Sequence, residues 1–262
     1  MFHIKRILFP VDFSVRSKGA AAYAESFAGR FDAELILLHV IEPVTYNSLL
    51  ANQEIQKEAF DKFLGDGLKH LRVERIIARG EAARTIVECA ESRKVDLIML
   101  PTQGQGIFRR LLLGSTAAKV LHDAECAVWT AVHMEFAPKL EALSLRRILC
   151  AVNLGASSGR VLHWAHHVAE EYQAELTLVH VASNGQSASA RASLERLQSR
   201  LGVAATLRVE EGEPAKAIAS LAGQLQADLL VIGRKGLPGI RGRLEMTAYS
   251  IIRESPCPVV SV

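Results

Sequence analysis

Short apolar runs alternate along the chain with longer stretches of helical spacing. Ile7 to Val11 is apolar throughout, too short for a helix and suited to a buried strand. Asp12 or Ser14 stands as a cap before a stripe of Ala20, Ala21, Ala24, Phe27 and Ala28, whose spacing predicts a helix. Leu35 to Val40 predicts a second strand, Leu49 to Leu71 a long amphipathic helix, and Arg75 to Ala78 a third strand. Gly80 turns the chain into a helix over Ala82 to Ser92, and Leu97 to Leu100 follows as a fourth strand. A Gly-rich loop from Thr102 to Gly114 leads to a helix capped by Ser115 and reaching His122, and Ala127 to Val132 is a fifth strand. Strands this apolar belong to a parallel sheet covered on both faces, and right-handed crossovers then give a doubly wound α/β fold.

The same pattern occurs twice. Lys5 to Asp12 (KRILFPVD) returns as Arg146 to Asn153 (RRILCAVN), and Ala33 to Val40 (AELILLHV) returns as Ala174 to Val181 (AELTLVHV). Gly80-Glu81 and Asp96-Leu97 return in order as Gly212-Glu213 and Asp228-Leu229. A repeat of this length is a whole domain, not a solenoid unit. The offset is 141 residues from Arg6 to Arg147 and 132 from Gly80 to Gly212, so the first half carries nine extra residues between His39 and Gly80. The second set of strands is Ile148 to Val152, Leu176 to Val181, Thr206 to Val209, Leu229 to Ile232 and Val259 to Val262. The reading is two domains, 1–134 and 146–262, joined by a linker at 135–145 in which Pro138 argues against a continuous helix.

Composition narrows the function classes. A net charge of +3 is too small to argue for nucleic acid or a membrane surface, and 6% aromatic content weakens base stacking. No apolar run reaches spanning length and the N-terminus enters a strand directly, so the expectation is a cytoplasmic protein. The four cysteines have no metal-ligand or disulfide-scaffold spacing, and Cys126 and Cys257 are repeat equivalents that read as small buried hydrophobes. His163 and His167 have i, i+4 spacing, but no carboxylate or cysteine completes a metal set. Ser14 and Ser17 lack a nucleophile elbow, and no Walker Lys-Ser/Thr pair occurs, so the chain presents no catalytic residue.

Ligands of such sheets bind at the carboxyl ends of the strands, near the point where strand order reverses. Three first-half segments converge there: Pro10-Val11-Asp12, His39-Val40, and Leu100-Pro101-Thr102-Gln103-Gly104. The last continues to Gly114-Ser115-Thr116. Glycines let backbone N–H groups close on phosphates, a helix beginning at Gly114-Ser115 directs its positive end towards them, and Arg109 or Arg110 adds charge. Taken singly, Gly104 and Gly106 read better as turn glycines, Ser115 as an N-cap, and Asp12 as a helix cap than as site residues.

In combination these residues resemble a tandem universal stress protein, over nearly the whole of both halves. Nucleotide-binding members carry a Gly-x2-Gly-x9-Gly-Ser/Thr loop, an Asp after the first strand and a Val after the second. Asp12, Val40, Gly104 and Gly114-Ser115 match; Pro101 stands at the first motif glycine and Gln103 at the family's common His. Proline has no N–H, so one backbone contact is missing there. In the second half Asn153 replaces the Asp and Gly233-Arg234-Lys235-Gly236 keeps Gly-x2-Gly. The closing Gly-Ser becomes Met246-Thr247 counted from Gly236, or Glu245-Met246 counted back from Cys257. That implies a degenerate second site, where Arg234, Lys235, Arg241 and Arg243 offer an anion charge alone.

The resemblance implies two tandem doubly wound parallel five-stranded sheets, Rossmann-like and of the adenine nucleotide alpha-hydrolase-like type, packed through their last strands as an intramolecular pseudo-dimer; the whole chain could pair again as a homodimer. It implies a stress-response regulatory protein. ATP, with Mg²⁺ as companion ion, would bind the first domain through Pro10, Val11, Asp12, Val40, Leu100, Pro101, Gln103, Gly104, Gly114, Ser115 and Thr116. Occupancy would alter a surface read by a protein partner. The alternatives are a nucleotide-free scaffold or stress-protective interaction module, and a weak ATPase.

Overall fold

The computed structural model describes residues 3–42, 53–63, 68–102, 113–131, 134, 143–234 and 246–262. The chain divides into two compact units, His3–Val128 forming the bulk of the first and Ser144–Val262 that of the second. The first contains β1 (Arg6–Pro10), α1 (Val15–Arg30), β2 (Glu34–Ile41), α2 (Gln53–Lys62), β3 (Val73–Arg79), α3 (Ala82–Ser92), β4 (Leu97–Pro101), α4 (Ser115–Asp123) and β5 (Ala127–Ala131). Its strands lie in the order β3-β2-β1-β4-β5. Leu8 of β1 pairs in parallel with Ile36 of β2 on one side and Ile98 of β4 on the other. The second unit repeats the plan with β6 (Arg147–Ala151), α5 (Ser158–Tyr172), β7 (Glu175–Ala182), α6 (Ser187–Leu201), β8 (Thr206–Glu211), α7 (Pro214–Gln224), β9 (Leu229–Ile232), α8 (Met246–Glu254) and β10 (Val259–Ser261). Its strand order is β10-β9-β6-β7-β8.

Both units are doubly wound, as the alternation of apolar runs predicts. β1 and β4 are buried on both faces through Ile7, Leu8, Phe9, Leu97, Ile98 and Met99, which is why they read as continuous apolar runs. Right-handed crossovers place the first two helices of each unit on one face and the last two on the other. The helix contacts follow: α5 packs on α6, α3 on α4, and α7 on α8. In α1 the predicted stripe of Ala20, Ala21, Ala24, Phe27 and Ala28 is the buried face. Gly19, also buried there, lies so close to the backbone that an added Cβ would fall on the Met134 carbonyl oxygen.

Two sequence expectations need correction. The long helix from Leu49 to Leu71 is shorter: α2 ends at Lys62, and Leu68 to His70 form a turn, while residues 43–52 and 64–67 lie outside the described residues. Gly65 and Gly67 follow the helix end, and each glycine inside a helix costs about 1 kcal/mol relative to alanine. Ser115 is not a cap. Gly114 occupies the N-cap position of α4 with extended backbone, and Ser115 is the first helical residue.

Where the halves agree, the agreement serves the fold. Asp96 Oδ2 accepts from the backbone amides of Lys5 and Arg6 at 2.7 and 3.0 Å. Asp228 Oδ2 does the same for Arg146 and Arg147 at 2.8 and 2.9 Å. Each carboxylate thus ties the start of one central strand to the start of its neighbour and satisfies two amides that open the sheet. Asp228→Ala is expected to destabilise the protein by about 1–2 kcal/mol, because two donors lose a charged acceptor at a site where water partly replaces it. Asp228→Asn, which keeps one acceptor oxygen, should lose less. Urea unfolding midpoints check this, and equal losses in both variants would refute the role assigned to the carboxylate.

The cysteines behave as packing residues. Cys150 is fully buried in β6, and burial pushes its thiol well above the ordinary range. Cys257 is only partly buried as a residue, yet desolvation still pushes its thiol up to about 11. Cys126 is also half-buried, so the sequence expectation of burial holds only partly for this repeated pair.

Candidate functional site

Strand order reverses around β1, which leads to β2 on one side and neighbours β4 on the other. The crevice above β1 is where a doubly wound sheet binds ligands. The structure brings there the end of β1 (Pro10, Val11, Asp12), the end of β2 (Val40), the end of β4 (Leu100, Pro101, Thr102) and the start of α4 (Gly114, Ser115, Thr116). Gln103, Gly104, Gly106, Arg109 and Arg110 lie outside the described residues.

Asp12 begins a tight local network. Its Oδ1 accepts from the Ser14 amide at 2.9 Å and from the Ser17 hydroxyl at 2.5 Å. Ser14 is the N-cap of α1, its hydroxyl accepting from the Ser17 amide at 3.0 Å, so of the two candidate caps it is Ser14 that caps. The second unit reproduces the turn with an amide side chain: Asn153 Oδ1 accepts from the Gly155 amide at 2.9 Å and from the Ser158 hydroxyl at 3.3 Å. The turn therefore needs one oxygen at this position and no charge. Asp12 and Asn153 thus fill matching turns with side chains of different charge.

The next residue is bent in both halves. Phe13 has φ +61° and its repeat equivalent Leu154 has φ +60°. Bulky side chains rarely adopt this left-handed conformation, and backbone strain of this kind, about 1–3 kcal/mol per residue, gathers at functional sites. Beneath the bend, His39 Nδ1 donates to the Val11 carbonyl at 2.8 Å. His180 Nδ1 donates to the Val152 carbonyl at 2.8 Å in the second unit. The repeated histidines thus fix the strand ends that carry the candidate site. The His39 ring lies 4.4 Å from Phe13 and 6.0 Å from Phe60, and Phe63 closes on Phe13 at 5.8 Å. Phe60 and Phe63 come from the segment that holds the nine extra residues of the first half. Sequence reading missed this aromatic wall, since a helix prediction does not say which strand end its phenylalanines reach.

The Gly-rich segment is closed at its base. The Gly114 amide donates to the Thr102 carbonyl at 2.7 Å. That amide serves the protein itself. The donors left for an anion at the start of α4 are the Ser115 and Thr116 amides and hydroxyls. Nearby electrostatics are organised by a repeated cap. Hydrogen bonds from the Arg84 amide and from Lys119 hold the Glu81 carboxyl below the usual range, and the Lys216 and Ala215 amides do the same for Glu213. Each glutamate follows a glycine with positive φ, Gly80 at +152° and Gly212 at +110°, a turn that only glycine makes without strain.

In the second unit, Arg234 is 2% exposed and its backbone amide donates to the Val262 carbonyl at 3.1 Å. Lys235, Gly236, Arg241, Arg243 and Glu245 lie outside the described residues. Met246 and Thr247 open α8. His163 is exposed and His166 approaches Glu170 at 3.3 Å; no group of three or more metal-ligating side chains occurs among the described residues. Nor is any described helix long and apolar enough to cross a membrane.

These features define a duplicated Rossmann-like α/β protein in which each unit repeats one strand order and one switch point. The chain belongs to the universal stress protein family, whose profile matches residues 3–131, 144–199 and 182–262. A universal stress protein of Mycolicibacterium smegmatis is 28% identical to it, across 98% of this chain and 96% of the relative. One from Methanocaldococcus jannaschii is 33% identical over 135 residues, spanning 47% of this chain and 79% of the relative. The crystal structure of a universal stress protein from Archaeoglobus fulgidus superposes with a TM-score of 0.81 at 24% identity, covering 99% of this chain and 98% of that one, a likeness of fold.

Proposed function

We propose that the first unit binds an adenine nucleotide, ATP with Mg²⁺, and that occupancy alters the surface formed by the segment between Thr102 and Gly114, which a protein partner reads. The observation that carries this reading is that Asp12 and Asn153 hold matching turns while only the first carries a carboxylate. The second unit holds the same turn with Asn153, so the hydrogen bonds of this turn are met there without a carboxylate. A ribose hydroxyl supplies the donor such a carboxylate suits. Val40 and Leu100 offer apolar contact at the same crevice, and the Ser115 and Thr116 amides offer donors at the positive end of a helix. The role is regulatory, with the nucleotide acting as a signal.

A second reading, a nucleotide-free scaffold, is favoured by two observations at the same place. Pro101 has no N–H, and the Gly114 amide is already engaged by Thr102. Calorimetric titration of the nucleotide-stripped chain with Mg-ATP separates the two. The expected result is one Mg-ATP per chain, lost in Gly114→Val, which puts a branched side chain at the N-cap of α4. Absence of binding, together with a melting temperature unchanged at millimolar ATP, would establish the scaffold reading, because a ligand selective for the native state must stabilise it.

A further inference from the structure

The second sheet ends on an open edge. β8 is last in its strand order and, among the described residues, pairs with β7 alone. The register shows which backbone groups it turns outward. In the first unit Leu35 pairs with Val73, the Leu35 amide donates to the Arg72 carbonyl, and the Gly80 amide donates to the Ile41 carbonyl. Such a parallel ladder engages every second residue from Arg72 to Gly80 and leaves Val73, Arg75, Ile77 and Arg79 facing out. His180 pairs with Val209 as His39 pairs with Ile77, so the outward groups of β8 are those of Leu207, Val209 and Glu211. A row of free N–H and C=O groups is a template for another strand.

Charge decides which strand fits. Arg208 and Glu210 stand two residues apart on one face of β8, meet at 3.4 Å, and keep side-chain exposures of 47% and 31%. These charges repel most strands, yet they match a reversed copy of themselves. Laid antiparallel about Val209, two β8 strands set Arg208 of each copy opposite Glu210 of the other, and Val209 opposite Val209. Each Arg208 then reaches the Glu210 of either strand. Glu211 faces Leu207 in this register, and its carboxylate is already held by the Ser187 hydroxyl. Moving the centre to Arg208 or to Glu210 sets like charges against each other, so the charges fix the register. The outer strand of the first unit lacks this property. On β3, Arg75 and Arg79 share one face with no acid, while Glu74 shares the other with Ile76 and Ala78, so no antiparallel self-pairing sets opposite charges face to face.

We infer that two copies of this chain associate through their β8 edges, antiparallel about a two-fold axis at Val209, so that the second sheet continues from one copy into the other. Main-chain hydrogen bonds supply the attraction and the paired charges supply the register. The edge is only 6 residues long. Its area falls below the roughly 1,200 Å² of a standard interface, so the association is weak and reversible. The nucleotide crevice takes no part, and the two readings therefore stand or fall separately.

The test is sedimentation velocity of the full chain from about 1 μM to 1 mM, in wild type, Arg208→Glu, and the exchanged pair Arg208→Glu with Glu210→Arg. Wild type is expected to pass from monomer to dimer within that range. Arg208→Glu sets acid against acid at both symmetric contacts and should raise the dimer dissociation constant at least about tenfold. The exchanged pair restores opposite charges and should return the constant close to the wild-type value. Val209→Cys supplies a second readout. Directly opposed, hydrogen-bonded antiparallel residues stand about 5.5 Å apart at Cα, within reach of a disulfide. With oxidised glutathione this variant should form a covalent dimer that wild type, with its 4 native cysteines, does not. The inference is overturned if wild type stays monomeric at about 1 mM. It is overturned equally if Arg208→Glu dimerises as tightly as wild type, if the exchanged pair stays as weak as the single variant, or if Val209→Cys yields no covalent dimer.

Discussion

Asp12→Asn is expected to weaken Mg-ATP binding roughly 10- to 100-fold, the worth of one hydrogen bond to a charged acceptor, about 1.5–3 kcal/mol. The melting temperature of the unliganded protein should hardly move. Asparagine keeps an Oδ1 for the Ser14 amide and the Ser17 hydroxyl, and Asn153 already does this work in the second unit with the Gly155 amide and the Ser158 hydroxyl. What changes is the other side-chain atom, from a charged acceptor to a neutral donor. Asp12→Ala removes both functions and is expected to lose affinity and also about 1 kcal/mol of stability with the turn, the usual scale for a lost cap at a helix start. Calorimetry and thermal melts on the two variants separate binding from folding. Unchanged affinity in Asp12→Asn would mean that the carboxylate does not meet the nucleotide.

Trp164→Ala is expected to cost about 3–5 kcal/mol, the largest stability loss of any change considered. Trp164 is 1% exposed and sits on the inner face of α5 with Val161, Leu162, Ala165 and Val168. That face packs over β6, β7 and β9, so truncation opens a cavity above the centre of the second sheet. For a unit of this size the melting temperature should fall by roughly 10–20 °C. The first unit places Tyr23 at the equivalent position, and Tyr23 is only half-buried. Tyr23→Ala should therefore cost much less. Differential scanning calorimetry compares the two, and equal losses would refute the claim that the halves centre their cores on different residues.

Much of the fold could be read from the sequence because its physics is local. A strand buried on both faces must be apolar throughout, and Leu97 to Leu100 and Leu229 to Ile232 have no polar position to confuse the reading. The bounds of α3 were legible because Gly80 and Glu81 form a turn and a cap, and Glu81 accepts from the Arg84 amide. The helix predicted from Leu49 to Leu71 failed because apolar spacing carries on past Gly65 and Gly67, and spacing does not register backbone entropy. Site residues were legible as far as they were strand ends. Their partners were not: the left-handed Phe13, the His39 ring held by Val11, and the Gly114 amide held by Thr102 are pairings between distant segments. Composition carries no trace of them.

The bond from Gly114 to Thr102 separates the history of the scaffold from that of its specificity. With the ends of the intervening stretch pinned together, residues can be inserted, deleted or exchanged between them without shifting β4 or α4. The entropy of closing a flexible loop rises by only about 0.6 kcal/mol for each doubling of its length. Selection can thus lengthen, shorten or rewrite this stretch at little thermodynamic expense, and one copy can change there while the other stays as it was. Duplication with such a pinned, replaceable segment in the first copy lets one surface of the chain change while both sheets keep their shape.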